Sequence, residues 1–375
     1  MQEGSSCLGT IMNNKVAVIL VNFKTYANRF LEECRDSLRR QTYPADLIHI
    51  FIVDNATSKE SNDYIRMIYP EAVIIPRNDG NYAAANNAGI MKGMEYGCEY
   101  FIIANMDTVF DSNWMRELIG AIKSDDNIGI AQSKILLYPI NQDEWKSPKI
   151  NSVGNVIHYL GFGLMSGYRK HDDHFSIEHL GKEIYPEIHG YASGCSFITK
   201  KEVLAKIGGY NEEYYMYHDD VEISWKVKLA GYKIVLAPNS ILYHKFEPSR
   251  SAAMRYYLER NRYIAVFSFY KWPTLILISP ALIFMDVGMF FYSFVHGWFK
   301  IKLDVYKYFL KFESWRKIAG FRKVHAALRV VSDKKIVYFF YGKILFQEND
   351  ASILKYCVNP IFSIYWAVAK NLIVW

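Results

Sequence analysis

A chain of 375 residues exceeds what one hydrophobic core usually organises, so a main domain with a smaller appended region is expected. Its net charge of +6 is regional: residues 300 to 335 hold eleven Lys and Arg against Asp304, Glu313 and Asp333, +8 locally, which leaves the remainder slightly acidic and excludes a chain that is basic throughout. No nucleic-acid recognition motif accompanies that block, so nucleic acid is not the expected partner. Cys7, Cys34, Cys98, Cys195 and Cys357 are odd in number and lack metal spacing, in keeping with a reducing compartment. Met1 to Asn14 has no basic start and Val16 to Val21 is too short for a secretory signal, so the catalytic part is expected on the cytoplasmic side.

After an N-terminal extension, residues 1–14, short apolar runs alternate with helical patterns to about residue 135. Val16 to Val21, Ile48 to Val53, Ala72 to Ile75 and Tyr100 to Ile103 read as buried strands; Phe30 to Arg39, Ser58 to Ile68 and Tyr82 to Met94 read as helices between them. This is the rhythm of an open, mainly parallel α/β sheet, which binds ligands beyond the carboxyl ends of its strands. The polar residues at those ends are Asn22, Asp54-Asn55, Arg77-Asn78 and Asn105 to Asp107. The Asp54 carboxylate suits a ribose hydroxyl or a base imide, and equally suits capping of the next helix, as Ser58 does. No Gly-x-Gly-x-x-Gly follows the first strand, against a dinucleotide cofactor held in the usual way. Gly80 to Gly89 is a small-residue run that admits close approach of a ligand or of another backbone. Its alanines suit plain helix-on-sheet packing, while Asn86 and Asn87 point to a polar role.

Asp107 follows the fourth strand, with Asn105 as a weaker oxygen donor beside it. One carboxylate plus substrate phosphates suffices for a hard cation such as Mg²⁺. His244 could complete the set and would make Mn²⁺ plausible, although a lone His after a strand-like run is more often structural. His171-Asp172-Asp173-His174 reads as a solvated loop rather than a metal cluster. Asp219 to Glu222 opens a helical pattern running to Leu229. Acidic residues there favour a helix amino terminus, and Asp220 at the mouth of a site would accept a hydroxyl proton.

Pro273 to Trp298 is apolar and free of Lys and Arg, long enough for a span of roughly 20 residues. Asp286 near its middle would cost on the order of 3 kcal/mol in a bilayer, and positive charge lies on both flanks. An in-plane or re-entrant amphipathic hairpin fits better, with Pro360 to Trp375 packed beside it. Beside the basic block this region suits an anionic membrane surface; a buried helical core is the other reading.

The motifs, in order, resemble the inverting family 2 glycosyltransferases of the GT-A fold, especially the rhamnosyltransferase-like branch. Val18-Ile19-Leu20-Val21-Asn22 is similar to the opening strand, and Val53-Asp54-Asn55-Ala56-Thr57-Ser58 to the nucleotide-contacting segment. Asn78 to Gly89 is similar to the Asn-rich, Gly-containing stretch, with one extra residue. Asn105-Met106-Asp107-Thr108 resembles the Asn-Pro-Asp form of the metal motif. Ser193-Gly194-Cys195 resembles the acceptor-side Gly segment, and Gly208-Gly209-Tyr210-Asn211-Glu212 the Gly-Gly-Phe-Asp-Glu segment. Tyr217-His218-Asp219-Asp220-Val221-Glu222 resembles the Glu-Asp-x-Asp motif, and Tyr257-Leu258-Glu259-Arg260-Asn261 the Arg-Asn segment after it. Glu222 stands where Asp is usual and Lys226 where Arg is common, which keeps charge and alters reach.

The resemblance implies a GT-A glycosyltransferase domain at 15–265, followed by a mainly helical, membrane-associated region at 266–375. It implies a nucleoside-diphosphate sugar donor contacted by Asn22, Asp54, Asn78, Asn86 and Asn105, and a divalent metal, Mn²⁺ or Mg²⁺, on Asp107 and His244. Asp220 is implied as the base, with Gly194, Cys195, Asp219 and Glu222 on the sugar and acceptor side. The acceptor would be a glycan or lipid-linked glycan in cell-surface polysaccharide synthesis, at the cytoplasmic face of the membrane, peripheral or re-entrant. The rival classes are a sugar-phosphate nucleotidyltransferase, for which Val21-Asn22-Phe23-Lys24-Thr25 is a poor phosphate loop, and a non-catalytic membrane-associated scaffold.

Overall fold

The computed structural model describes residues 14–174, 183–247, 251–345, 352 and 354–375. The expected N-terminal extension, apart from Asn14, lies outside the described residues, as do Cys7 and the side chain of His174.

The first half follows the alternation in the sequence: β1 (Val16–Asn22), α1 (Tyr26–Arg39), β2 (Ile48–Asp54), α2 (Lys59–Ile68), β3 (Val73–Pro76), α3 (Tyr82–Glu95) and β4 (Tyr100–Ala104). Strand β1 pairs in parallel with β2 and β4, and β2 with β3. Every residue of β1 is buried. Val16, Val18 and Leu20 face one core, and Ala17, Ile19 and Val21 face the other. A strand covered on both faces must be continuously apolar, and this is why the run carries no alternation.

The second half adds β5 (Thr108–Phe110), α4 (Trp114–Lys123), β6 (Ile128–Leu137), α5 (Gln142–Lys146), β7 (Ile150–Ser152), β8 (Asn155–Ile157) and β9 (Gly163–Met165). After these come β10 (Ser196–Lys200), α6 (Lys201–Ile207), α7 (Asp219–Leu229) and β11 (Lys233–His244). The main sheet runs β3-β2-β1-β4-β10-β6-β11-β5, with β7 beside β6. Its first four strands are parallel, as the pattern predicts. From there the sheet is mixed, because β10 lies antiparallel to both β4 and β6, and β11 antiparallel to β5. The runs Lys233 to Leu236 and Ile241 to Tyr243 are one strand, β11, whose register slips between Ala237 and Ile241.

The chain closes with α8 (Ala252–Phe269), α9 (Trp272–Val295), α10 (Phe299–Leu310), α11 (Phe312–Leu328), α12 (Asp333–Val337) and α13 (Asn359–Leu372). These helices share a third core with α7, centred on Trp225, Phe269 and Trp366. Helix α9 is unbroken despite Pro280, and among the described residues it alone is long and apolar enough to cross a membrane. It turns at Gly297 into α10, and α13 packs beside it, with Phe284 and Phe362 ring centroids 5.8 Å apart. The charge in its middle is matched within the protein. Asp286 accepts from Lys302 Nζ at 2.7 Å, from Tyr306 Oη at 2.9 Å and from Tyr263 Oη. Fully buried Lys302 also pairs with Glu259 of α8, which holds Arg262 at 3.0 Å.

The small residues of α3 let it sit tightly on the sheet. A Cβ on Gly89 would stand 2.5 Å from Ile19 Cγ2, and one on Gly93 would stand 2.8 Å from Ala17 Cβ. Gly89→Val is therefore expected to lower stability by about 1–3 kcal/mol or more, because fully buried Ile19 has no room to retreat. Denaturant unfolding checks this, and an unchanged midpoint would contradict the close α3–β1 contact.

Candidate active site

The parallel strands end together, and the loops beyond them are hydrogen-bonded into one rim. Asn55 N–H donates to Asn22 O (2.8 Å), Arg77 N–H to Asp54 O (2.9 Å) and Gly80 N–H to Asn55 O (3.2 Å). Asn22 and Asp54 are adjacent in register and fully buried. Asn22 Nδ2 donates to Asp54 Oδ1 at 2.7 Å, and the other Asp54 oxygen takes Ser61 Oγ (2.5 Å) and Asn62 Nδ2 (3.1 Å). Both oxygens of Asp54 are thus engaged within the protein, and the cap of α2 is Ser58, in a reciprocal box with Ser61. Among the described residues, the buried side-chain atoms left without a partner at this rim are Asn55 Oδ1, Asn86 Oδ1 and Arg77 Nε. Asn86 Nδ2 bonds back to Tyr82 O at 3.0 Å, and Asn78 is exposed on the loop after β3. Asn87 ties α3 to the Gly-rich segment: it donates to Tyr210 O (2.9 Å) and accepts from Tyr210 N–H (2.7 Å).

Beyond β4, two antiparallel pairings bring distant residues to Asp107. His244 lies opposite Thr108 in the β5–β11 ladder, and its Nε2 is 3.2 Å from Asp107 Oδ2. Tyr26, in the first turn of α1, donates its hydroxyl to the same oxygen at 2.5 Å. His244 Nδ1 is 2.9 Å from Asn151 Oδ1, an acceptor, so Nδ1 carries the hydrogen and Nε2 faces the carboxylate. Two acceptors in opposition need a cation between them. In the metal-free protein that cation is a proton: burial works against it, but Cys195 and Asp107 together raise the imidazole to about 10. Burial opposes ionisation of Asp107 too, and His244 and Tyr26 still hold its carboxyl below the usual range. Asp107 Oδ1 is buried without a partner. An orphaned carboxylate oxygen beside an oriented imidazole nitrogen fits a divalent cation. Among the described residues no group of three or more His, Cys, Asp and Glu forms a metal cage. A cation on Asp107 and His244 would therefore complete its shell with water and substrate oxygens.

Gly194 and Cys195, which lead into β10, join this part of the site to the next. Cys195 O accepts Asn105 N–H at 3.0 Å, and Gly194 N–H donates to Asp220 Oδ2 at 3.3 Å. Burial pushes the Cys195 thiol up, with His244 pulling the other way. Asp219 and Asp220 are the first residues of α7. Burial raises both carboxyls, Asp219 to about 8 with the adjacent Asp220 charge adding to it, and Asp220 to about 6. Near neutrality the two neighbouring carboxyls retain one proton between them, beside the phenols of half-buried Tyr82 and buried Tyr191 and Tyr210. Tyr82 Oη also reaches Asn105 Oδ1 at 3.2 Å. Glu222, one turn further along α7, adds its charge to the raising of Asp219. It is buried, 3.0 Å from Lys226 Nζ.

The turn before α7 is unusual. Tyr215, Tyr217 and His218 take φ of 64°, 62° and 61°, a region that costs a non-glycine residue about 1–3 kcal/mol each and persists only where surroundings enforce it. Asn261 and Arg260 of α8 do the enforcing, and neither this nor the roles of Tyr26 and Asn151 follows from the sequence pattern.

The family model for glycosyl transferase family 2 matches residues 17–208, just over half of the chain. This chain belongs to glycosyl transferase family 2. The matched span takes in Asp54, Asp107 and Gly194, while Asp220 and His244 lie beyond it. Within the family, it is 25% identical over 199 residues to an uncharacterized glycosyltransferase of Rickettsia typhi, covering 51% of this chain and 52% of that protein. It is 32% identical over 57 residues to an N-acetylglucosaminyl-diphospho-decaprenol L-rhamnosyltransferase of Mycobacterium tuberculosis, 15% of this chain and 19% of that protein. The chain spans about half or less of the length of these curated relatives. Among solved structures, a crystal structure of GalNAc-T7 with UDP, GalNAc and Mn²⁺ superposes with a TM-score of 0.48 at 14% identity, over 82% of this chain and 58% of that one.

The orientation of His244 gives a direct test on this glycosyltransferase. Asn151→Ala removes the acceptor on Nδ1 and is expected to weaken Mn²⁺ binding, read by isothermal titration, by about 10-fold or more. Unchanged affinity would show that the imidazole does not meet the cation through Nε2.

Proposed function

We propose that this glycosyltransferase moves a sugar from a nucleoside-diphosphate donor to a hydroxyl of a glycan or lipid-linked acceptor, with inversion, at the cytoplasmic face of the membrane and in cell-surface glycan synthesis. The observation that carries this reading is the bridge at Gly194-Cys195, where the N–H of one residue and the C=O of the next reach the Asp220 carboxyl and the Asn105–Asp107 segment. A diphosphate site and a base are thereby held on opposite sides of one short strand entry.

Asp220 takes the acceptor's hydroxyl proton as the acceptor oxygen bonds the anomeric carbon, and the bond from that carbon to the diphosphate oxygen breaks on the opposite face. Gly194 N–H fixes the orientation of Asp220 Oδ2, and Val221 N–H holds Oδ1 at 2.9 Å. A proton held between Asp219 and Asp220 keeps the pair from carrying two negative charges at once. Asp107 and His244 would hold Mn²⁺ or Mg²⁺, which neutralises charge on the departing diphosphate. Tyr26 and Asn151 keep those two side chains in place. The orphaned Asn55 Oδ1 and Asn86 Oδ1, with exposed Asn78, offer polar contacts to the nucleotide that Asp54 supports from beneath.

The membrane part of the reading rests on α9 and α13. Ile276, Ile283, Phe284 and Phe291 of α9 and Ile364 and Val368 of α13 are all more than half exposed, on two helices that pack side by side. Lys271 precedes α9, Arg322 lies 4.3 Å over the Trp272 ring, and Lys370 sits on α13. An apolar face with basic residues at its border suits an anionic bilayer surface.

Release of nucleoside diphosphate from a panel of UDP-, GDP- and dTDP-sugars, with membrane lipids as acceptor source, tests the chemistry. Asp220→Asn is expected to lower transfer by about 10²- to 10⁴-fold, and transfer at the wild-type rate would sink the assignment of the base. Because Asp220 must be ionised, kcat/KM is expected to level off above about pH 6 and to fall about tenfold per unit below it. A flat profile down to pH 4.5 would rule out Asp220 as the titrating group. Binding to vesicles containing phosphatidylserine, followed by sedimentation, is expected to weaken on raising salt and to be lost with Ile283→Asp together with Ile364→Asp. Equal recovery of the double variant would refute the α9–α13 face as the contact.

A further inference from the structure

Helix α8 carries a buried amide aimed at the turn that presents the base. Asn261 is fully buried, and its Nδ2 donates to the carbonyls of Tyr214 (2.8 Å), Met216 (3.0 Å) and Tyr217 (2.7 Å). Two amide hydrogens are thus shared among three carbonyls within four residues of chain. Its Oδ1 accepts from Arg260 Nε at 3.0 Å and Nη2 at 2.8 Å, and Arg260 in turn donates to the carbonyls of Glu213 and Tyr214. These carbonyls belong to a stretch with left-handed residues at 215, 217 and 218, which leads directly into Asp219 and Asp220. His218 closes the turn from the other side, its Nε2 donating to Gly161 O at 2.9 Å.

We propose that Asn261 is a positioning residue for glycosyl transfer, holding the left-handed turn at 214–218 so that Asp220 meets the acceptor hydroxyl. The inference rests on the reading of Asp220 as the base. No other side chain of similar size can take this place: a carboxylate would face three carbonyl oxygens with no hydrogens, and Leu would remove the shared amide donor from all three, leaving Tyr214 O to Arg260 and the Met216 N–H. The frame that holds Asn261 is itself fixed, because Glu259 and Arg262, two and one positions away, are locked to each other and to Lys302 of α10. Loosening the amide would leave the donor site built from β1, β2 and β4 intact and would let the start of α7 swing. The loss is therefore expected in kcat rather than in donor affinity.

The test compares Asn261→Asp and Asn261→Ser with Ile278→Ala, a fully buried position on α9 that lowers stability without touching the turn. Rates are taken per folded molecule, with thermal midpoints measured alongside. Both Asn261 variants are expected to lose about 10- to 100-fold in kcat with donor KM changed less than about threefold, the Ser variant losing less because it keeps one donor. Ile278→Ala is expected to keep its kcat at a comparable loss of midpoint. Should the Asn261 variants not fold, Arg260→Lys, which leaves the amide without its guanidinium partner, is expected to show the same kcat-only pattern. Wild-type kcat in the Asn261 or Arg260 variants, while Asp220→Asn is inactive, would overturn this inference alone. Full activity of Asp220→Asn would overturn the base assignment and this inference with it.

Discussion

The site depends on one reversal in the sheet. Strands β1, β2 and β4 run in parallel and finish at the same edge, which by itself supplies only strand-end loops. Strand β10 enters from that edge and runs back between β4 and β6. Its first residues therefore sit beside the last residues of β4, and Cys195 O can take the Asn105 amide while Gly194 reaches Asp220. A parallel strand in this position would deliver its amino end to the far side of the sheet. The antiparallel β5–β11 pairing repeats the device and brings His244 to Asp107.

Around this edge the protein places polar groups of opposite character. The Asp54–Asn22–Ser61–Asn62 cluster is satisfied internally and serves as a floor, whereas Asp107 Oδ1, Asn55 Oδ1 and Asn86 Oδ1 are buried acceptors without donors. Buried acceptors left open cost free energy, so this end of the sheet suits a ligand that brings hydrogen-bond donors or a cation. The helices beyond β11 differ in kind. Their inner faces are closed by the Glu259–Arg262–Lys302–Asp286 network and by aromatic packing on Trp225, and their outer faces remain apolar.

Much of the fold was legible because burial on both faces writes itself as unbroken apolar runs; β1, β2 and β4 need nothing more. Within the candidate site, the sequence marks the places of Asp107 at a strand exit and Asp220 at a helix start, and the structure keeps both there. The site was illegible where a role depends on tertiary reach. Tyr26 reads as an ordinary helix-start tyrosine until α1 places it on Asp107. Asn151 lies in a three-residue strand too short to detect, and Asn261 acts on carbonyls more than forty residues earlier. Asp54 was ambiguous because its partners, Ser61 and Asn62, sit one turn into the next helix. The mixed second half of the sheet escaped the pattern because an apolar run carries no sign of its direction. Asp286 shows the converse: a charge that counts against a membrane helix when read alone is matched by Lys302 once α10 folds back.

The place of β10 also sets an order of assembly during synthesis. The first three parallel strands and β4 are complete once residue 104 has emerged, but the free edge of β4, Tyr100 to Ala104, has no partner until Ser196 to Lys200 follow. Throughout that interval the nascent chain presents an apolar strand with open backbone groups, the kind of edge that pairs with other chains. Closing it brings Cys195 O to the Asn105 amide in the same event. The step that removes the aggregation hazard therefore also joins the loop after β4 to the entry of β10, the frame to which Asp220 and His244 are added as the chain beyond residue 200 follows.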